Sequence, residues 1–164
     1  MNLRLFMSLL LLFAGCLGER STTPPDIPYV QLSSSPDTLA LGGPRLYLTA
    51  YLWVQQDRFS GPGGYDSLFG VVYATSVDSI SLDPILSVDA VWIIMGNGEV
   101  WKSWLSPMRA RISLYCVSGT FRGGPVMAVG TKVTVVVRLI DSQGMSYLLR
   151  ASNQEVTTPP IVVE

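Results

Sequence analysis

The sequence contains no histidine, and with it goes the side chain that usually moves protons near neutral pH and the commonest metal ligand. Charge is scarce as well: 14% of the 164 residues are charged, eleven basic against twelve acidic, for a net charge of -1. Without a basic excess there is nothing to neutralise a phosphate backbone, which argues against a nucleic-acid partner. No Gly-x-Ser-x-Gly elbow occurs, and Lys102 and Lys132 do not stand in a Ser-x-x-Lys arrangement, so the sequence offers no serine hydrolase. Gly124 to Lys132 has the Gly-rich look of a phosphate loop but ends Gly-Thr-Lys instead of Gly-Lys-Thr and contains a proline; it reads as a turn entering a strand.

Carboxylates could carry acid–base work without histidine, and Asp57, Asp66, Asp78, Asp83 and Asp89 are close in sequence. All five sit in Ser, Gly or Pro contexts that flank strands, where Asp serves turns. None spells a calcium loop. The expectation is a non-enzyme with no cofactor and no metal.

The N-terminus is informative. Met1 to Arg4 supplies one positive charge, and Leu5 to Ala14 is an apolar run broken only by Ser8, the layout of a secretory signal peptide. It is too short for a bilayer core of about 30 Å, which needs roughly 20 apolar residues as helix. The run ends Leu12-Phe13-Ala14-Gly15-Cys16, and this resembles the lipobox of bacterial lipoprotein precursors, with Phe13 where Leu is usual. The resemblance implies that residues 1–15 are removed and that Cys16 receives a diacylglyceryl group and becomes the first mature residue. It places the protein in a bacterial cell envelope, held to the membrane by lipid. Leu17, rather than Asp, after the Cys points to the outer membrane if the source is Gram-negative. Each buried acyl methylene adds about 0.8 kcal/mol of membrane affinity, so two or three chains anchor the protein durably.

Residues 16–28 are small, polar and Pro-rich and read as a flexible tether. Extended polyproline geometry, at about 3.1 Å per residue, gives a dozen residues a reach on the order of 35 Å. The remaining residues, 29–164, form one domain by length and by the 48% hydrophobic content. No convincing amphipathic helix is present. Period-two alternation and short runs rich in Val, Ile, Tyr and Trp predict strands at Tyr29–Leu32, Arg45–Val54, Leu68–Val77, Ala90–Met95, Glu99–Leu105, Ala110–Val117, Lys132–Ile140, Met145–Ala151 and Glu155–Thr158. Gly-, Pro- and Asp-rich clusters separate them, which means an all-β sandwich or barrel.

Two hairpins stand out. Asn97-Gly98 suits a type I′ turn between Val91–Met95 and Glu99–Trp104. The second runs from Lys132–Ile140 through Asp141-Ser142-Gln143-Gly144 to Met145–Ala151, and the alternation puts Val133, Val135, Val137 and Leu139 on the core face. This last hairpin resembles the closing hairpin of immunoglobulin-like domains and the end of small uncharacterised lipoproteins of environmental bacteria. The implied fold is an immunoglobulin-like antiparallel β-sandwich of about seven to nine strands. The inter-sheet Cys pair of antibody-type domains is missing. With Cys16 lipidated, Cys116 has no partner, and among apolar neighbours it reads as a buried, inert thiol. A bridge between two copies is the alternative.

Aromatic residues carry the functional argument. Both faces of Val91–Met95 are apolar, so one face packs in the core and the other meets a partner, a second layer or another segment. Trp101 and Trp104, three apart, fall on opposite faces of a regular strand. Candidate binding residues are Trp101 and Trp104, with Tyr65 and Phe59 in the Gly-rich loop Phe59–Tyr65; Phe121–Pro125 is a second such loop. The function expected is a non-catalytic binding or structural module of the envelope with a protein partner. The alternative is a carbohydrate-binding module that stacks exposed Trp or Tyr on an envelope polysaccharide. Cys16→Ser is expected to move the protein from the detergent phase of a membrane extract to the aqueous phase, or to leave it uncleaved. Unchanged partitioning of that variant would remove the lipobox reading.

Overall fold

The computed structural model describes residues 21–55, 67–82, 86–108 and 113–159. Among them run α1 (Tyr29–Ser33), β1 (Thr38–Ala40), β2 (Arg45–Gln55), β3 (Ser67–Ser76), β4 (Leu86–Ile94), β5 (Val100–Trp104), β6 (Ser106–Pro107), β7 (Cys116–Gly124), β8 (Lys132–Asp141) and β9 (Ser146–Thr157). The nine strands form a sheet in the order β5-β4-β8-β9-β2-β3-β7-β6, with β1 added to β2. The two ends of that order are separated by one residue, Leu105. Its amide donates to the Asp89 carbonyl at 2.8 Å, the last contact with β4, and the next residue, Ser106, already pairs with Thr120 of β7. The sheet is thereby nearly closed into a barrel. All pairings are antiparallel except β2 with β9, where Leu52 faces Val156 and Trp53 faces Thr157 in parallel. The sheet is therefore mixed, and the expectation of a purely antiparallel one is corrected at this seam.

Alternation places Leu46, Leu48, Leu52 and Val54 of β2 inside, with Val133, Val135, Val137 and Leu139 of β8 facing them in one core. The inward set expected for β8 is the one observed. Three register shifts bend the walls. Asp89 is the extra residue between Val88 and Ala90; β9 carries one between its pairings to Val133 and Val135, where Asn153 takes a φ of 56°; β7 carries one opposite Leu68 and Gly70. Each bulge swaps the face on which the next residues lie and adds twist, which is how a sheet is curved toward closure. In β4 the core residues are Leu86 and Val88 before the bulge but Val91 and Ile93 after it.

Two expected strands are corrected. Residues 29–33 are helical, not extended: five residues are too few for periodicity to decide. The hydroxyls of Ser33 and Ser35 donate to the Val30 and Gln31 carbonyls at 3.1 and 2.9 Å, favouring the turn. Strand β7 begins at Cys116 rather than ending near it, so Phe121 to Gly124 belong to a strand and not a loop. Residues 109–112 of the segment expected at Ala110–Val117 lie outside the described residues.

The hairpin at Asn97-Gly98 is also different. The Gly98 amide bonds the Met95 carbonyl and the Met95 amide the Glu99 carbonyl, both at 2.9 Å. Gly98 has a φ of 85°, while Asn97 is not left-handed. This is a three-residue loop with a glycine bulge rather than a type I′ turn. Asn97 does not take a positive φ, and its Oδ1 accepts the Glu99 amide at 3.0 Å. The Asp141–Met145 hairpin is built the same way, with Gly144 at a φ of 81°.

Close approach of β3 and β7 demands small residues at the wall. A Cβ on Gly70 would lie 2.5 Å from the Phe121 ring, inside any tolerable contact. Gly70→Ala is expected to lower stability by about 1–3 kcal/mol through overpacking. The check is the denaturant midpoint at unchanged m; an unaltered midpoint would show that the wall yields freely.

Candidate functional site

The three-residue loop sets the pairing Ile93 to Trp101, Trp92 to Lys102 and Ala90 to Trp104. Trp101 therefore points into the barrel, where its ring lies 5.4 Å from Phe121. Trp104 lies with the outer cluster of Leu32, Ala90, Trp92, Ile94 and Val136. The two tryptophans do fall on opposite faces, and neither is left open. The Trp104 indole N–H donates to the Ser21 carbonyl at 2.7 Å, and the Arg138 guanidinium sits 5.4 Å from its ring centre, a cation–π contact. Beneath it Arg138 grips the bulge residue Asp89 through two hydrogen bonds of 2.9 and 2.8 Å.

The outer apolar face of β4 is thus met by another segment of the same chain. Leu32 of α1 is completely buried in this cluster and Ile27 packs against it. Lys102 pairs with Asp26, and Pro24 is buried. Residues 21–28, read from composition as part of the tether, lie on the barrel. The Trp92 indole N–H is buried here with no partner among the described residues, a desolvation cost of about 1–3 kcal/mol that the apolar cluster has to offset.

A clamp fixes the far end of the covering segment. Arg150 donates to both oxygens of Asp37 at 2.8 and 3.0 Å and to the Ser33 carbonyl. The Arg150 hydrogen bond is the largest influence on Asp37 and holds its carboxyl below the usual value.

The uncovered wall is on the other side of the barrel path. Along β2, Tyr47, Thr49, Tyr51 and Trp53 alternate with the core residues and face outward. Tyr47 lies across from Thr75, Thr49 from Tyr73, and Tyr51 from Val71. Thr75 pairs onward with Cys116, and Tyr73 with Ser118. These strands floor an open groove of about 610 Å³, lined by Tyr47, Thr49, Tyr51, Tyr73, Thr75 and Cys116 and closed at one end by Ser79, Ser113 and Tyr115. Tyr51 is 61% exposed, and its ring meets Tyr73 edge to face at 5.8 Å and 79°. Farther along, Trp53 and Phe69 lie nearly parallel, 22° apart at 6.2 Å. Among the described residues, no charged side chain lines the groove.

Burial pushes the Tyr73 phenol up, and the neighbouring Cys116 and Tyr51 add to it. Burial likewise raises the Cys116 thiol, more than the Thr75 hydroxyl hydrogen bond lowers it. Cys116 is a free thiol, held in its protonated, unreactive form. It is half-buried on the groove floor, however, not in the core. Among the described residues, no group of three or more Cys, Asp or Glu side chains is placed to hold a metal ion.

Phe59, Tyr65, Cys16, Asp57, Asp66 and Asp83 lie outside the described residues. Asp78 pairs with Arg45 at 3.0 Å and Asp89 with Arg138, so these two act in ion pairs of the fold. The outward Tyr47-Thr49-Tyr51-Trp53 row was legible as alternation in Arg45–Val54. Neither a protein-family model nor a curated protein matches the chain.

The clamp predicts a pH dependence. A carboxyl whose folded pKa is lowered stabilises fully above its unfolded value, and that contribution disappears as pH falls through the folded value. The melting temperature of wild type is therefore expected to exceed that of Asp37→Asn at neutral pH, by the equivalent of at most about 1 kcal/mol for so exposed a pair. The gap should close on acidification. A gap that persisted in acid would remove the electrostatic account.

Proposed function

We propose that this protein is a lipid-anchored, extracytoplasmic binding module of the bacterial cell envelope, without catalytic activity, that holds its ligand in the tyrosine-lined groove over β2, β3 and β7. The observation that carries the reading is the asymmetry of the two outer walls. The wall of β4 and β8 is filled by the chain's own α1 and Ile27, whereas the groove stands open with Tyr47, Tyr51 and Tyr115 exposed. Large exposed aromatic side chains are what binding surfaces use. The scaffold is read as a variant of the immunoglobulin-like sandwich, a reading supported by two walls over one core and by the closing β8–β9 hairpin.

The lipobox reading acquires a geometry from the covering segment. Cys16 precedes Ser21 by five residues, a span of at most about 18 Å, and Ser21 bonds Trp104 on the covered side. On that reading the anchor would be tied to the wall that carries Trp104, away from the groove.

Tyrosine footprinting tests the binding face. With radical labelling of the intact envelope and of the purified protein, Tyr47, Tyr51 and Tyr115 are expected to be several-fold protected in the envelope. Tyr29, 50% exposed and outside the groove, is the internal reference. Equal reactivity of the groove tyrosines in both samples would eliminate the proposal.

A further inference from the structure

We infer that the groove over β2, β3 and β7 recognises an uncharged glycan chain, an inference that rests on the groove being the binding face and names its ligand class. Three features of the groove select that chemistry. First, among the described residues no Lys, Arg, Asp or Glu lines it. An anionic ligand such as a phosphorylated polymer or a lipid headgroup finds no cation there, and a charged peptide side chain would lose hydration without a counter-charge. Second, the backbone of the groove floor is committed where the tyrosine row lies. β2 is hydrogen-bonded to β3, and β3 is bonded on its other side to β7, so an extended peptide cannot add a strand between them. Recognition over β2 and β3 has to come from side chains.

Third, the side chains are rings and hydroxyls. Tyr47, Tyr51, Tyr73 and Tyr115 surround Thr49, Thr75, Ser76, Ser79 and Ser113. Among the described residues, none of the four phenols makes a hydrogen bond. Tyr147, outside the groove, contrasts with them, because its hydroxyl donates to Asp141 at 3.0 Å. A sugar ring presents an apolar C–H face to an aromatic ring and equatorial hydroxyls to phenols and Thr or Ser side chains, and the groove supplies both kinds of contact. Each phenol is both donor and acceptor, as a sugar hydroxyl is.

The edge-to-face Tyr51–Tyr73 pair makes walls rather than a flat platform, which suits a single chain laid in a trough more than a crystalline surface. A volume of about 610 Å³ lies within the range of about 300–1,000 Å³ that small-ligand sites occupy.

Affinity electrophoresis of the full-length protein in detergent tests this, using gels containing dextran, galactomannan, mixed-linkage β-glucan or xylan, with polygalacturonate and heparin as anionic comparisons. Retardation by at least one neutral polysaccharide is expected, with Tyr51→Ala weakening it roughly tenfold or more. Tyr47→Phe and Tyr115→Phe, which keep the rings and fold, should weaken it by a smaller factor through the lost hydroxyls. Migration unaltered by every neutral polymer, retardation by the anionic polymers alone, or retardation unchanged in all three variants would each overturn the inference. Groove tyrosines that are protected in the envelope while no neutral glycan binds would leave the binding face standing and remove only the glycan.

Discussion

The fold depends on how one strand changes partners. Between Trp104 and Ser106 the chain leaves β4 and joins β7, and Leu105 is the hinge of that exchange: its amide is still bonded to Asp89 while its side chain is 5% exposed inside the barrel. The opposing wall yields to it, because a Cβ on Gly119 would sit 2.9 Å from the Leu105 Cβ. β9 performs the same exchange on the other side, antiparallel to β8 from Ser146 to Glu155 and parallel to β2 at Val156 and Thr157. Two corner strands thus join two walls around one core, and little sheet edge is left unpaired.

Bulges decide what each wall presents. At Asp89 the inserted residue turns Ala90, Trp92 and Ile94 outward, which creates an apolar exterior that water would not tolerate over several large side chains. The chain itself supplies the remedy in α1 and Ile27. The same inserted Asp89 holds Arg138, and Arg138 supports Trp104, so the charge pair and the apolar cover are parts of one arrangement. Half-buried and bidentate, the Asp89–Arg138 pair has a geometry that exposed ion pairs seldom keep.

The walls consequently divide the work. One carries the N-terminal segment and, on the lipobox reading, the anchor. The other presents phenols to the groove, beside the hydroxyls of Thr75, Ser76 and Ser113 that also make local hydrogen bonds. A groove whose described lining carries no charge selects a ligand through ring contact and neutral hydrogen bonds, and that restriction is what makes its ligand class arguable.

Much of this was readable along the chain, and for a definable reason. All-β class, the inward set of β8 and the separation of Trp101 from Trp104 onto opposite faces all follow from period-two alternation, a local property of strands. What sequence could not decide were the features set by partners distant along the chain. Asn97-Gly98 permits two loop lengths, and the choice between them moves every side chain of β5 by one position, which decided that Trp101 faces Phe121. Residues 29–33 became helical because one leucine had to enter the pocket left by Trp92 and Val136. The groove, finally, joins Tyr47, Tyr73 and Tyr115 from three strands, and only the pairing of β2 with β3 and of β3 with β7 brings them together, since pairing is settled by the packing of the whole sheet and not by the residues of any single strand.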